Sequence, residues 1–241
     1  MGQINLYVIF DMIESSGFLD WDSNFFGFKV AIIKVGLGND RQIEEEIIRL
    51  LNIGSRLIYV NSHRPLNLSK FRALLADIKR SYVLSAPQYK NTENHIITVT
   101  GDSTSLYDLA YQAGEYSRYK VDPNIGEAEF KRLYRTWIDN SINNGFADYV
   151  LATIDKGHPI GLITAKKRQQ ELSVGLFATD KEYRGQGIGS GLFQEIINIA
   201  SKQNLVVEVT TQADNKTACA FYEHKGFEIA SEEYVYHVWN D

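Results

Sequence analysis

A strand that runs into a helix through a turn of alternating glycines leaves few folds open to this chain. Leu172, Val174, Leu176 and Ala178 alternate with Ser173, Gly175, Phe177 and Thr179, the period-two pattern of a strand. Beyond the turn, Ile188, Leu192, Phe193, Ile196, Ile197 and Ala200 recur at spacings of three and four, one face of a helix. Between the two, Gly185, Gly187 and Gly189 leave backbone N–H groups uncovered by side chains. Such groups at a helix N-terminus converge on one point, and the helix dipole adds to their pull on a phosphate. Arg184 adds a fixed positive charge beside them. The stretch predicts an anion cradle.

The spacing narrows what the cradle holds. A dinucleotide fingerprint needs G-x-G-x-x-G and an acidic residue closing a second strand. Here the run is Gly185-x-Gly187-x-Gly189-x-Gly191, placed too late in the chain for a doubly wound sheet. A phosphate loop of the nucleotide-triphosphatase type needs Lys and then Ser or Thr after its last glycine, and neither is present. The string Arg184-x-x-Gly187-x-Gly189 after a strand instead resembles the acetyl-CoA pyrophosphate loop of the GCN5-related N-acetyltransferases (GNAT). A second phrase follows in the right order. Leu205 to Thr211 has the pattern of a strand, Ala213-Asp214-Asn215 can cap a short helix, and Gly226 can stop it. Asn215-x-x-Ala218-x-x-Phe221-Tyr222-x-x-x-Gly226-Phe227 is similar to the second signature of that family.

The resemblance implies an α/β chain: a GNAT fold, with a mixed central sheet flanked by helices, preceded by a smaller α/β domain. Residues 102–241 hold the expected order of two helices, a hairpin and the cofactor strand. The helices are expected from Leu106 to about Tyr119 and over Phe130 to Ile142. The hairpin pairs Tyr149–Ile154 with Pro159–Thr164. Closing strands are expected at Phe227–Ile229 and Tyr234–Trp239. Gly101 to Ser105 is small and polar and marks the boundary. Residues 1–101 alternate strand and helix patterns without a glycine cradle: a strand over Phe28–Val35, a helix capped by Asn39-Asp40, a strand over Arg56–Val60 and an amphipathic helix from Leu68 to Arg80. Further strands are expected at Tyr82–Leu84 and Ile96–Val99. This unit is about half the size of an acetyltransferase domain and fits a truncated copy of it, although no repeat is legible in the residues.

Three looser phrases sharpen the resemblance. Trp21-Asp22-Ser23-Asn24-Phe25-Phe26-Gly27, Ala113-Gly114-Glu115-Tyr116-Ser117-Arg118-Tyr119 and Tyr134-x-x-Trp137-Ile138-x-x-Ser141 look like the TDP-fucosamine acetyltransferase (WecD-like) branch. As plain residues they are equally aromatic side chains that pack domains. That branch implies acetyl transfer from acetyl-CoA to the amine of a nucleotide-linked amino-deoxy sugar of the dTDP-4-amino-4,6-dideoxyhexose type. The alternatives are a family member acting on a protein N-terminus or a small amine, and a non-catalytic acyl-CoA sensor.

The same resemblance assigns residues. Arg184, Gly185, Gln186, Gly187, Ile188 and Gly189 would hold the pyrophosphate. Backbone groups of Phe177, Ala178 and Thr179 would pair with the pantetheine arm and polarise the thioester carbonyl. Asn215 would contact the cofactor, or simply cap its helix. Tyr222 matches the tyrosine that protonates the departing thiolate as a general acid, against the plain alternative of a core aromatic beside Phe221. No general base stands out; Glu171 and Glu208 are candidates near strand ends. Arg118 can meet a substrate phosphate bidentately, or lie on the surface. Lys166-Lys167-Arg168 is a solvated hairpin end.

Composition excludes other classes. The chain of 241 residues is 44% hydrophobic and 23% charged, enough to bury a sizeable core. A net charge of −5 without a basic run gives no general attraction to nucleic acid. The single cysteine, Cys219, excludes an internal disulfide and a cysteine metal cluster, and five scattered histidines suggest no metal. Met1 to Asp11 lacks a signal-peptide pattern, and apolar runs are strand-sized, so a cytoplasmic enzyme away from the membrane is expected. The strand edges of such a fold leave room for a homodimer.

Overall fold

The computed structural model describes residues 13–36, 40–91 and 96–240. They divide into two compact units, one of Met1–Ile78 with Glu233–Asp241 and the other of Lys79–Glu232. The expected boundary near residue 101 falls inside the second unit. No helix among the described residues is long and apolar enough to cross a membrane.

In the first unit, β1 (Ile13–Phe18) pairs antiparallel with β2 (Val30–Val35), which lies parallel to β3 (Leu57–Ser62). The last residues of β10 (Glu228–Trp239) pair antiparallel with β3, Tyr234 opposite Ser62 and Trp239 opposite Leu57. Helix α1 (Asp20–Phe26) carries Trp21 and Phe25 stacked 5.2 Å apart. Helix α2 (Asp40–Asn52) lays Ile43, Ile47 and Leu50 on Ala31, Ile33, Ile58 and Val60. Asn39, the expected partner in its cap, lies outside the described residues.

The expected helix from Leu68 to Arg80 is overturned. Residues Ala73–Leu84 form β4, and from Lys79 onward it pairs antiparallel with β9 (Val206–Gln212). Phe71, Leu74, Leu75 and Ile78 have helical spacing, but a short apolar run serves a strand equally well. The ladder partner, more than a hundred residues away, decides between them.

The second unit is a mixed sheet. From β4 the order runs β9, β8 (Glu171–Thr179), β7 (His158–Arg168), β6 (Tyr149–Asp155) and β5 (Ile96–Thr98). Among the described strands of this order only β8 and β9 are parallel neighbours, and α6 (Ile188–Gln203) connects them. Its buried Leu192, Phe193, Ile196 and Ala200 pack on Leu172, Val174, Val207 and Val209. The closing strands expected at 227–229 and 234–239 are one strand, β10.

On the other face lie α3 (Tyr107–Ala113) and α5 (Glu127–Asn143). The single helix expected from Leu106 to Tyr119 is broken. It ends at Gly114, resumes as the short α4 (Arg118–Val121), and Ser117 between them is extended. Close packing keeps residue 114 a glycine, since a Cβ there would sit 2.3 Å from the Tyr134 ring, and glycine is a weak helix former at which a helix readily stops. The link from β4 to β5 is strapped to α6, where the Asn198 amide accepts from Lys90 N–H and donates to Lys90 C=O, both at 2.9 Å.

Candidate active site

The ladder between β8 and β9 stops before the strands do. Its last pair is Val174 with Val209, although β8 runs to Thr179 and β9 to Gln212. Beyond that pair β8 stays with β7, Phe177 opposite Ile163, Ala178 opposite Leu162 and Thr179 opposite Gly161. The departure begins at an irregular register between Ile163 and Ala165. There the Leu176 N–H donates to the Thr164 hydroxyl at 2.8 Å instead of to a backbone carbonyl. Gly175 is required at this point, since a Cβ would lie 2.8 Å from the Thr164 oxygen. One extra residue on β8 bends the strand away from its parallel neighbour.

Alternation then settles which backbone groups face the gap. Asp180 N–H donates to Ile160 C=O at 2.9 Å, so the even-numbered residues of this stretch turn toward β7. Phe177 and Thr179 turn their N–H and C=O the other way, into the split. Ala178 belongs to the β7 side of the ladder. Of the three residues expected to offer backbone groups, two therefore face the opening.

The glycine turn opens at the same end of the strands. Gly185 and Gly187 have φ of 77° and 84°, in the left-handed region that favours glycine, and Gly187 is the N-cap of α6. Arg184, Gly185, Gln186 and Gly187 are exposed, and Ile188 and Gly189 are half-buried. A Cβ on Gly189 would meet the Thr179 hydroxyl at 3.0 Å and the Phe177 ring at 3.2 Å. The start of α6 thus presses directly on the split strand. Bare backbone, a helix N-terminus and a nearby guanidinium suit a diphosphate, as the sequence predicts.

Gln112 on α3 holds this loop, and no sequence pattern singles it out. Its amide donates to the Asp180 carboxylate at 3.1 Å and accepts from Lys181 N–H at 3.0 Å and from the Arg184 guanidinium at 3.3 Å. Arg184 Nε also donates to Thr179 C=O at 3.2 Å, so the arginine bridges the cradle and the split strand. A backbone hydrogen bond from Glu182 and then the Gln112 amide hold Asp180 below the usual carboxylate range. Gln112→Ala should raise KM for acetyl-CoA about fivefold with little change in kcat, an indirect cost to binding as the loop loses its hydrogen bonds at Asp180, Lys181 and Arg184. Steady-state kinetics check this, and an unchanged KM would remove Gln112 from the cradle.

Helix α7 (Lys216–His224) brings in Tyr222. Asn215 caps it, its side chain accepting from Ala218 N–H at 3.1 Å, so the capping role expected of this residue is present. At the other end Gly226, with φ of 85°, turns the chain, and Phe227 N–H donates back to Tyr222 C=O at 3.1 Å. The Tyr222 ring is buried among Phe193, Phe221, Phe227 and Tyr82, with centroids 5.4 to 6.0 Å away. Its hydroxyl has no hydrogen-bond partner among the described residues. Burial pushes its pKa up and keeps the phenol protonated. Cys219 on the same helix is buried core.

Glu171 pairs with Val206 across β8 and β9, which sets Glu208 diagonally beside it on the same face, one residue before the split. Burial, and then the Glu171 carboxylate, push the Glu208 pKa up. That direction moves a carboxylate toward the working range of a base. It also has a stability consequence. A folded pKa above the unfolded one gives stability that is complete below the ordinary value of 4.5 and lost as pH rises through the folded pKa. Glu208→Gln is therefore expected to raise Tm at pH 8, the difference closing in acid. A thermal melt series checks it, and a Tm gain that grows toward low pH would contradict it.

The other sequence-selected residues make contacts with their near neighbours. Arg118 lies over the Tyr119 ring, 4.7 Å from its centroid, and donates to its hydroxyl at 2.6 Å. Lys166 pairs with Asp148 at 2.9 Å. Tyr134 and Trp137 stack on α5, their centroids 5.8 Å apart. The Trp137 indole nitrogen is 3.9 Å from where a Gly175 Cβ would lie, beside the bend in β8.

Comparison with known proteins agrees with this geometry. Residues 109–227 match the acetyltransferase (GNAT) family, whose members use acetyl-CoA as acyl donor. The chain is 28% identical over 140 residues to the spore coat polysaccharide biosynthesis protein SpsD of Bacillus subtilis, covering 58% of this chain and 48% of that protein. It therefore spans about half the length of that relative. It is 24% identical over 184 residues to an uncharacterised N-acetyltransferase of Methanocaldococcus jannaschii, covering 71% of this chain and 76% of the other. Among solved structures, a GCN5-related N-acetyltransferase from Sphaerobacter thermophilus superposes with a TM-score of 0.55 at 15% identity. That match covers 92% of this chain and 75% of the other. Residues 109–227, which contain the split strand, the glycine cradle and Tyr222, are an acetyltransferase domain of the GNAT family.

Proposed function

We propose that this chain moves an acetyl group from acetyl-CoA to the amine of a nucleotide-linked amino-deoxy sugar, of the dTDP-4-amino-4,6-dideoxyhexose type. The observation that carries the reaction class is the split of β8 from β9 at Val174, with an exposed glycine cradle at its open end. The sugar assignment rests on the likeness to a polysaccharide biosynthesis protein and on the aromatic phrases around Trp21, Tyr116 and Trp137. Catalysis belongs to the domain expected at 102–241, with 1–101 as its smaller companion.

Bound acetyl-CoA supplies the activated acyl group. The residues fit it: Gly189 packs closely on Thr179, and Gly185 and Gly187 leave open space above their backbone. Gly185, Gly187 and Gly189 offer N–H groups, with Gln186 and Ile188 between them, and Arg184 adds its charge for the pyrophosphate. Phe177 and Thr179 offer strand groups to the pantetheine arm, and the N–H of one of them polarises the acyl carbonyl. Tyr222 donates its proton to the departing sulfur. Glu208 is the nearest candidate to take the proton of the amine, and Trp137 offers a flat face to an acceptor.

The test is thiol release from acetyl-CoA with a panel of nucleotide-linked amino sugars, free amino sugars, peptide N-termini and simple amines. One sugar nucleotide should be turned over with a kcat/KM well above every other amine. A peptide ahead of every sugar nucleotide would move the assignment to protein N-termini. Tight acetyl-CoA binding without turnover of any amine would make the chain an acyl-CoA sensor.

A further inference from the structure

Tyr222 is a proton donor that no hydrogen bond of its own aims. Its direction is set by what packs around its ring and what holds its turn of helix. Phe193, Phe221 and Phe227 supply apolar contacts, which resist overlap but do not fix a rotation. The polar contact comes from β4, which precedes the family-matched segment 109–227. Tyr82 on β4 is fully buried, and pairs in the ladder with Val209, the residue at which β9 parts from β8. Its ring lies 5.6 Å from that of Tyr222. Its hydroxyl donates to the carboxylate of Glu223, the next residue on α7, at 2.8 Å. One side chain thus touches the same helical turn twice, ring against ring and hydroxyl on the neighbouring residue.

The strand side of this clamp is also fixed. Arg80, two residues before Tyr82, reaches the Tyr82 oxygen at 3.5 Å. Its guanidinium is held by Glu232 through Nε at 2.8 Å and Nη2 at 2.5 Å. The chain Glu232–Arg80–Tyr82–Glu223 runs from β10 through β4 to α7. All of these atoms belong to the second unit.

We propose that Tyr82 is a positioning residue for acetyl transfer, fixing the angle at which Tyr222 presents its hydroxyl to the departing sulfur. The proposal rests on Tyr222 being the proton donor. Proton transfer requires hydrogen-bond reach, and an error of about 1 Å in placing a catalytic group can cost about a hundredfold in rate. A phenylalanine at 82 keeps the ring contact and loses the bond to Glu223, together with the longer contact to Arg80. Glu223 is exposed, so Glu223→Ala removes the same bond from outside the core.

The experiment measures kcat and KM for acetyl-CoA by thiol release, with a dTDP-4-amino-4,6-dideoxyhexose as acceptor and again with water alone as acceptor. The proteins are wild type, Tyr82→Phe, Glu223→Ala, Tyr222→Phe, and the doubles Tyr82→Phe/Glu223→Ala and Tyr82→Phe/Tyr222→Phe. Tyr82→Phe and Glu223→Ala are each expected to lower kcat about tenfold at unchanged KM, part of the loss available from misplacement. Their double should be no worse than either, and Tyr82→Phe should have no further effect once Tyr222 is phenylalanine. Equal losses from Tyr82→Phe in both backgrounds would show a general structural role and overturn the proposal. Wild-type kcat in Tyr82→Phe beside an impaired Tyr222→Phe would overturn it while leaving Tyr222 as the acid. Wild-type kcat in Tyr222→Phe would overturn both.

Discussion

Tyr222→Phe is expected to lower kcat for acetyl transfer by about 100-fold, the lower range for loss of a positioned general acid, and to leave acetyl-CoA affinity unchanged. The hydroxyl is the only atom removed. It makes no hydrogen bond to the described residues, so no protein contact is lost with it. The ring keeps its place among Phe193, Phe221, Phe227 and Tyr82. Burial keeps the phenol protonated, which suits an acid that acts once per turnover and must not ionise between turnovers. The measurement is a kcat comparison beside acetyl-CoA titration calorimetry and a thermal melt. A variant with wild-type kcat would leave the departing thiolate to be protonated by water and return Tyr222 to the core.

The second large effect belongs to the cradle. Gly187→Val is expected to weaken acetyl-CoA binding about 100-fold, as loss of one or two charge-assisted hydrogen bonds would. Gly187 sits at φ of 84°, where a β-branched residue is strained. Nothing lies within 4 Å of its would-be Cβ, so no atom is struck and the cost falls on the backbone. The chain relieves it by rotating the peptide at the start of α6, which turns N–H groups away from the phosphate. The stability loss should be small beside the binding loss, about 1–2 kcal/mol for a residue held left-handed. Binding and melting on the same preparation separate the two. Intact affinity with a lowered Tm would mean that the pyrophosphate lies elsewhere.

The two effects read different parts of the cycle. Tyr222→Phe is expected to read in kcat, and Gly187→Val in the binding that precedes it. Gln112→Ala should follow Gly187 more weakly, since it supports the loop through Asp180 and Arg184 without meeting the cofactor itself.

Local patterns were enough for the parts of the site that lie close together in the chain. The strand of β8, the turn at Gly185–Gly189, helix α6 and helix α7 with its Asn215 cap all follow from spacings of two, three and four residues and from glycine chemistry. Each announces itself within a few residues, through an apolar period, a glycine turn or a capping side chain, so each is legible where it stands. The same reasoning failed at 68–80, where helical spacing in Phe71, Leu74, Leu75 and Ile78 gave way to a strand. A strand is completed by its partners, and one partner of β4 is β9, from Lys79 opposite Gln212 to Leu84 opposite Val207. It also failed at Gly114, a glycine packed against the Tyr134 ring, where a helix that periodicity carried on to Tyr119 stops.

The chemical inventory was therefore in the sequence alone: a bare glycine turn at a helix start, a strand beside it and a tyrosine on a short capped helix, in an order that resembles one family. Tertiary structure decided what those groups face. Only the Thr164 hydroxyl taking the Leu176 N–H shows why β8 leaves β9, and only the resulting register distinguishes Phe177 and Thr179 from Ala178. Gln112 at the cradle, and Tyr82 against Tyr222, are ordinary residues of a helix and a strand until the chain folds. Each acts across a long separation, 141 residues between Tyr82 and Glu223. A periodicity reports which face of an element is buried, but not which distant side chain will be there to meet it.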